Sequence, residues 1–534
     1  MTEQHRNTEA TIWIALLALL PILPNAFVGY AGQDFEFHAS SWLELRNAWL
    51  AGHFAPTWAP MANFTLGDPH LVLYPPISFL LGGFLSLLLP FHLAPAAFLW
   101  IALTLAGLSM YIAAKPFVSE RDRLPAALLY TLSPYLVTTA LVRFAAAELL
   151  VQACLPLIVL CFYRTVWERS NRATILLGTL LGLTWLTNIP ASLILLYGLL
   201  SVAAICAIDQ RSPAPILRLL AAETIAGTLA AFYLLPLWFE RAFINLNGLV
   251  RSDPRRLLLF MPAHGPETLK VFKYSCWIFA VAGVLLILAC LRKRSTRLAD
   301  NPAARTWLYL SIVSIFFQMP FSLWLWNHLP ELRAAEFPFR FLPLPGVALP
   351  LILFAPTTRR VLRKPVYAVI ALLTLSPFLQ VLRVQHDPTT RVPPIAQLAQ
   401  TWQTQGYDGL AEYWPAGIPT RPTPSVAEPN CTVTPAAQSP ISKSFRIAAS
   451  APCDIEFPIL SYPYWHASDE SNNPITTHTS PHGLIALTAP SGTHLLRLTF
   501  QTASKPRTLG ATITFAALLA IALTLAISTF GKLK

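Results

Sequence analysis

The chain has 534 residues, of which 54% are hydrophobic and 12% charged, about half the roughly 25% charged share of an average soluble domain. With a mean hydropathy of +0.52 and repeated apolar runs near the ~20 residues that cross a bilayer, this is no ordinary soluble enzyme. The formal charge is +12, but the cations fall in short clusters between apolar runs, which marks topology and excludes a nucleic-acid-binding face.

Apolar runs mark twelve spans, at about 11–29, 96–114, 124–141, 148–163, 174–188, 190–208, 216–238, 272–291, 305–326, 341–356, 366–382 and 509–529. His5 and Arg6 before the first run imitate a signal peptide, but no A-x-A site follows, so an uncleaved span is expected. Another run, 77–89, follows Tyr74-Pro75-Pro76, contains Gly82-Gly83 and stops at Pro90. It is too short to span and suits a re-entrant or interfacial helix.

Charge parity supports that reading. If 77–89 does not cross, Lys115/Arg121/Arg123, Arg164/Arg169/Arg172, Arg211/Arg218, Arg292 to Arg297, Arg359 to Lys364 and Lys532/Lys534 all face the cytoplasm, with both termini. The outer face then receives a first loop from about 30 to 95, Arg143 to Glu148, 239–271, 327–340 and 383–507. The expected organisation is a transmembrane module over 1–382, a Pro-rich linker over 383–442, a small β-sandwich over 443–507 and a final helix with tail over 508–534. Five cysteines lie in apolar runs, while Cys431 and Cys453 lie in polar, outer sequence where a disulfide is possible.

The first outer loop opens with Gly32-Gln33-Asp34-Phe35-Glu36-Phe37-His38. Two carboxylates and an imidazole beside aromatic rings fit a general base or a divalent metal site, Mg or Mn, held by Asp34, Glu36 and His38. The alternative is a solvated loop with a capping box at Ser40-Ser41-Trp42-Leu43-Glu44. Arg143 and Glu148 fit either a structural ion pair or a catalytic role. Arg241, Arg251, Arg255, Arg256, His264 and Lys270 form an outer basic cluster that opposes the positive-inside bias, suited to phosphate oxygens or anionic headgroups. Glu336-Phe337-Pro338-Phe339-Arg340 places a cation beside aromatics at the entrance of a span.

Gly32-Gln33-Asp34 with His38, the segment from Trp58 through Gly67 to Tyr74-Pro75-Pro76, Tyr130 to Tyr135, Arg143 with Glu148, and Glu336 to Leu342 together resemble the bacterial membrane proteins called 6-pyruvoyl-tetrahydropterin synthase-related. These in turn resemble the GT-C superfamily of polyprenyl-phosphate-dependent glycosyltransferases. Ser461-Tyr462-Pro463-Tyr464-Trp465 with Pro490-Ser491-Gly492-Thr493-His494 is similar to the outer β-domain of YfhO-like members, with Tyr464 where a Gly is usual.

The resemblance implies an all-α polytopic, GT-C-like membrane protein of the bacterial inner membrane with an outer β-sandwich. It implies Asp34 as the catalytic carboxylate and Glu148 as a second acid. The outer arginines and Glu36, His38, Arg143, Glu336 and Arg340 would bind substrate. Its partners would be membrane lipid and a polyprenyl-phosphate-linked sugar donor, with no nucleic acid. A full Asp-x-Asp is absent, since the sequence has Asp34-Phe35-Glu36. The rival readings are a lipid-linked-intermediate transporter, with Asn188, Gln152 and Gln318 as its polar path, and a catalytically silent scaffold for envelope assembly. Tyr464 and Trp465 are the residues of the outer domain expected to touch an acceptor sugar.

Overall fold

The computed structural model describes residues 2–23, 25, 30, 32–245, 253–261, 301–356, 368, 375, 393–423, 430–501 and 504–530. Within them, five helices are long and apolar enough to cross a bilayer: Phe91–Ala113, Glu120–Arg143, Ala146–Val166, Ile189–Asp209 and Lys505–Thr524. Two further pairs pass the same test only together, bent by 77° between Ala214–Leu229 and Ala231–Phe243 and by 74° between Pro302–Gln318 and Pro320–His328. The twelve expected spans therefore reduce to at most seven among the described residues. Run 272–291 falls outside those residues, and so does 366–382 apart from residues 368 and 375.

Local chemistry accounts for several of the differences. The run 305–326 breaks at Met319, which is extended (φ −86°, ψ 151°) before Pro320, because a residue preceding proline is pushed out of the helical region. The first helix, Glu3–Leu17, gives way to a tight turn at Leu20–Ile22 with Pro21 inside it. Asn171–Trp185 is 15 residues long and thus short of a full crossing.

The basic loops gather at one end of the bundle. Lys115 Nζ lies 3.1 Å from Glu3 Oε1, and Arg6 Nη2 lies 2.8 Å from Glu120 Oε1. Phe117 packs edge-on against both Tyr163 and Trp307, Arg218 donates to Asn171, and Arg305 pairs with Asp209 at 2.8 Å. Trp100 Nε1 donates to Ala15 O, so the helix Ala94–Ala113 runs back along the first one. The C-terminal end of the first helix and Ala94 therefore lie at the same end of the bundle. The 13-residue helix Pro76–Leu88 is about 20 Å long, short of the ~30 Å hydrocarbon core.

The C-terminal domain is a two-layer β-sandwich. Its strands are β1 (Cys431–Gln438), β2 (Ser442–Ala449), β3 (Cys453–Leu460), β4 (Trp465–Ser468), β5 (Pro474–Ile475), β6 (His478–Thr479), β7 (Leu484–Ala489) and β8 (Gly492–Phe500). One sheet has the order β1-β2-β8-β4-β5 and the other β3-β7-β6, with antiparallel pairing throughout. Alternate residues face inward, as in Phe445 and Ile447 of β2 and Ile455 and Phe457 of β3. The domain begins at Cys431, inside the stretch read as linker, and the linker itself holds a helix, Ile395–Gln405. Cys431 and Cys453 are disulfide-bonded, with Cα atoms 6.4 Å apart.

This domain is seated on the first outer loop. Trp58 and Leu66 join its core, and the rings of Trp58 and Trp465 meet at 5.4 Å. Below it, buried Glu240 accepts from Tyr462 Oη (2.9 Å), Tyr464 Oη (3.0 Å) and both Arg507 Nε and Nη2 (3.0 Å). A buried carboxylate needs such partners, and here they tie the β-domain and the last helix to the helix Ala231–Glu240. Tyr464 and Trp465 are consequently not exposed sugar-binding rings: one is bonded to Glu240 and the other is 4% exposed inside the sandwich.

Candidate functional site

Asp34 stands at the N-terminus of the helix Phe35–Leu50, and its side chain makes no capping hydrogen bond. The carboxylate has no hydrogen bond or ion pair among the described residues, which removes helix capping as its role. Its backbone N–H instead donates to Arg143 O at 3.0 Å, joining the first and second outer loops. Gly32 makes that approach possible: its φ is +151°, and a Cβ there would lie 2.6 Å from Phe144 Cβ. The expected capping box does not form either. Ser41 Oγ lies inside the helix bonded to Phe37 O, and Glu44 accepts from Met61 N at 2.7 Å.

Four more of the expected residues converge beside Asp34. A π-helical turn, Thr139–Arg143, ends at Phe144 in the left-handed region (φ 48°). That geometry, recurrent at functional sites, aims Arg143 at Glu148 in the first turn of Ala146–Val166. Glu148 Oε2 accepts from Arg143 Nη1 (2.7 Å) and Arg340 Nε (3.2 Å), while Oε1 accepts from Tyr135 Oη (2.7 Å) and Gln152 Nε2 (3.1 Å). Arg340 also donates to Ala335 O (2.7 Å) and Glu336 Oε2 (3.2 Å), and Glu336 too has a left-handed backbone (φ 62°). Arg143, Glu148 and Arg340 are 5%, 3% and 8% exposed, so these buried charges depend on one another and on the hydrogen bonds around them. The two helices that carry Arg143 and Glu148 are the innermost of the candidate spans, each with 78% of its apolar window buried.

With four donors on it, Glu148 has little acceptor capacity left, and its geometry suits holding two guanidinium groups rather than the second catalytic acid expected. Arg143 Nε is buried and has no partner. Burial raises the Asp34 carboxyl above its ordinary value, with Arg143 and Arg340 acting in the opposite direction. The site therefore combines an unbonded, basic carboxylate with two fixed cations.

The expected metal set does not form. Side chains at Asp34, Glu36 and His38 are two residues apart on or beside one helix, where each step turns about 100°, so Glu36 points away from the other two. It is exposed and accepts from Trp402 Nε1 at 3.2 Å. His38 is 1% exposed among Phe37, Trp42, Tyr74 and Phe79, and burial drives its pKa down to about 3, leaving it neutral with Nδ1 unpartnered. Among the described residues no three His, Cys, Asp or Glu side chains group in a way that would hold a metal ion. In the outer basic cluster, Arg255 is exposed and donates its backbone N–H to Asp253. Arg251, His264 and the side chain of Arg256 lie outside the described residues.

Two features of the first outer loop escaped the sequence reading. The first is a polar chain: His70 Nδ1 faces Asp68 Oδ1, His70 Nε2 lies 3.1 Å from Ser41 Oγ, and Asn63 links Asp68 to Trp414. Ser41, Asp68 and His70 are at most 1% exposed, so no substrate reaches this serine and the chain braces the loop. Asp68-Pro69-His70 was its only sequence signal. The second is an apolar groove of about 380 Å³ lined by Leu45, Phe54, Leu71, Tyr74, Phe79, Leu80, Phe232, Tyr233 and Pro236, with Arg507 at its edge. Tyr74 belongs to this groove and also lies in the field of Asp34, Arg340 and Glu148.

No protein-family model matches the chain, and no curated protein matches it at the significance required. Among solved structures it is similar to the oligosaccharyltransferase of Archaeoglobus fulgidus. In the form tethered with an acceptor peptide containing the NVT sequon, the identity is 15% and the TM-score 0.43, over 78% of this chain and 61% of that one. In AglB from the same organism, in complex with an inhibitory peptide and a dolichol-phosphate, the identity is 15% and the TM-score 0.42, over 78% of this chain and 62% of that one. The chain thus spans less than two thirds of the length of these structures, and a TM-score of this size carries no argument.

Proposed function

We propose that the protein is a membrane glycosyltransferase that moves a sugar from a polyprenyl-phosphate donor to an acceptor on the outer face by inverting transfer. The observation that carries this reading is the Asp34 carboxylate, free of any capping bond, beside the Arg143–Glu148–Arg340 cluster. Asp34 takes the proton of the acceptor hydroxyl as its oxygen bonds to the anomeric carbon. The bond from that carbon to the phosphate oxygen breaks, and its electron pair leaves with the phosphate. Arg143 and Arg340 meet the charge that develops there, which is where preorganised cations lower a barrier most. Glu148 and Glu336 act through the arginines as positioning residues. The apolar groove that ends at Tyr74 suits the hydrocarbon chain of such a donor. No step is routed through a metal, since Asp34, Glu36 and His38 do not fit one.

A transporter is less well supported. Gln152 is bonded to Glu148, Gln318 to Ser314, and Asn188 caps its own helix through Ala191 N, so the three polar groups expected along its path are each engaged locally. The deciding variant is Asp34→Asn, assayed for sugar release from a panel of polyprenyl-phosphate-linked donors. Loss of a general base costs about a hundredfold to ten-thousandfold in rate. A folded Asp34→Asn protein with the wild-type rate overturns the assignment of Asp34 as the base, and a wild-type protein that releases sugar from no donor leaves the scaffold.

A further inference from the structure

Between the outer β-domain and the bent end of the helix below it lies a second cavity, of about 550 Å³, within the roughly 300–1,000 Å³ of small-ligand sites. The transfer chemistry above does not use it. Its walls come from three separate parts of the chain: the turn at Ala242 and Phe243, Pro415 with Ala416, and the β-domain over Ser461 to Ala467 and Pro474 to Thr479. Backbone bonds fix the first two walls to each other, Ala416 N to Phe243 O at 3.0 Å and Asn245 N to Trp414 O at 2.9 Å. The cavity is therefore formed before any ligand arrives.

The lining chemistry selects the ligand class. Its polar groups are hydroxyls, among them Ser461, Thr477 and Thr479, and the imidazoles of His466 and His478, while no Lys, Arg, Asp or Glu lines it among the described residues. A charged ligand finds no fixed countercharge here, and a purely apolar one leaves these groups without partners. Ser461 Oγ and Thr479 Oγ1 lie 2.7 Å apart, so one O–H satisfies the other oxygen and the second is left to donate. The rings of His466 and His478 are exposed and make no hydrogen bond among the described residues. Phe243 and Pro463 add apolar faces of the kind a sugar ring packs on. Tyr462, Pro463 and Trp465 form one side of this cavity.

We infer that this cavity binds a neutral saccharide. That this saccharide is the acceptor of the transfer rests on the function proposed above; that it binds does not. The test uses the full chain in detergent, carrying Asp34→Asn so that no transfer occurs, on an array of immobilised neutral oligosaccharides, acidic oligosaccharides and unglycosylated peptides. Binding to a neutral oligosaccharide is expected, at least tenfold weaker in His466→Ala/His478→Ala and abolished by Thr477→Trp, which fills the cavity. Both variants alter side chains outside the sandwich core, and unchanged thermal unfolding confirms that they fold. Binding confined to acidic glycans or to peptides, no binding at all, or neutral-glycan binding that both variants retain overturns the inference. Neutral-glycan binding that follows these variants, when the protein with Asp34 intact releases sugar from no donor, preserves the subsite and removes the glycosyltransferase.

Discussion

Asp34 and Glu148 are both acids at the edge of a span, yet their surroundings divide them. Burial raises the Asp34 carboxyl above its ordinary 3.8, so only between that value and the raised one does the folded protein bind a proton there that the unfolded chain has released. Stability from this group falls as pH rises from the ordinary value through the folded one, and the penalty remains at neutral pH. Asp34→Asn removes it, and thermal unfolding of that variant at pH 7 should be equal to or higher than wild type while activity is lost. The same shift places the acidic limb of the rate profile, where Asp34 becomes protonated, above the usual aspartate range; a limb at the ordinary value would contradict a desolvated base. Glu148→Gln should behave oppositely. It leaves two buried guanidinium groups without their shared anion, at a cost of about 3–5 kcal/mol, measured by unfolding in detergent.

At the scale of elements, the site depends on how the ends of helices are shaped. The π-helical turn before Phe144, the left-handed Glu336 and the positive-φ Gly32 each interrupt regular backbone where Arg143, Arg340 and Asp34 must meet. Gly32→Ala tests this directly. Its Cβ would meet Phe144 at 2.6 Å in a backbone region that disfavours side chains, strain of about 1–3 kcal/mol. The expected result is a lower unfolding temperature together with a lower transfer rate, because the loop carrying Asp34 is displaced from Arg143. An Ala variant with normal stability and rate would show that the loop contact is incidental. The bent pairs follow the same logic: Met319 before Pro320 turns the chain by steric exclusion, and the second arm of the other pair carries Glu240, where the β-domain is fastened.

For the whole molecule, the two ends of the bundle carry different chemistry. One end collects Lys115, Arg218 and Arg305 with their partners, and the other collects Asp34, Arg340, Glu240 and the β-domain. Single cysteines at Ser119 and Ser170, in a background without native cysteine, should resist an impermeant maleimide in intact cells, whereas one at Ser442 should react. Labelling at Ser119 or Ser170 from outside would invert the orientation and move the site to the wrong face for an outer acceptor.

Composition and run length alone determined that lipid is this chain's solvent, because no soluble domain buries so much apolar sequence with so few charges. The short run at 77–89 and the positions of the basic loops were legible for the same reason: the cost of burying charge acts on sequence directly. Alternation of apolar residues made the strands of the sandwich readable, although β1, with little of it inside, hid in the Pro-rich stretch. Which acids and cations meet was decided only by the fold. Asp34, Arg143, Glu148 and Arg340 are separated by up to three hundred residues of chain, and nothing local distinguishes Glu36, which turns outward, from Asp34, which does not. The Ser41–His70–Asp68 brace, the Glu240 anchor and the cavity beneath the β-domain are likewise products of packing between distant segments, where burial turns ordinary polar residues into obligatory partners.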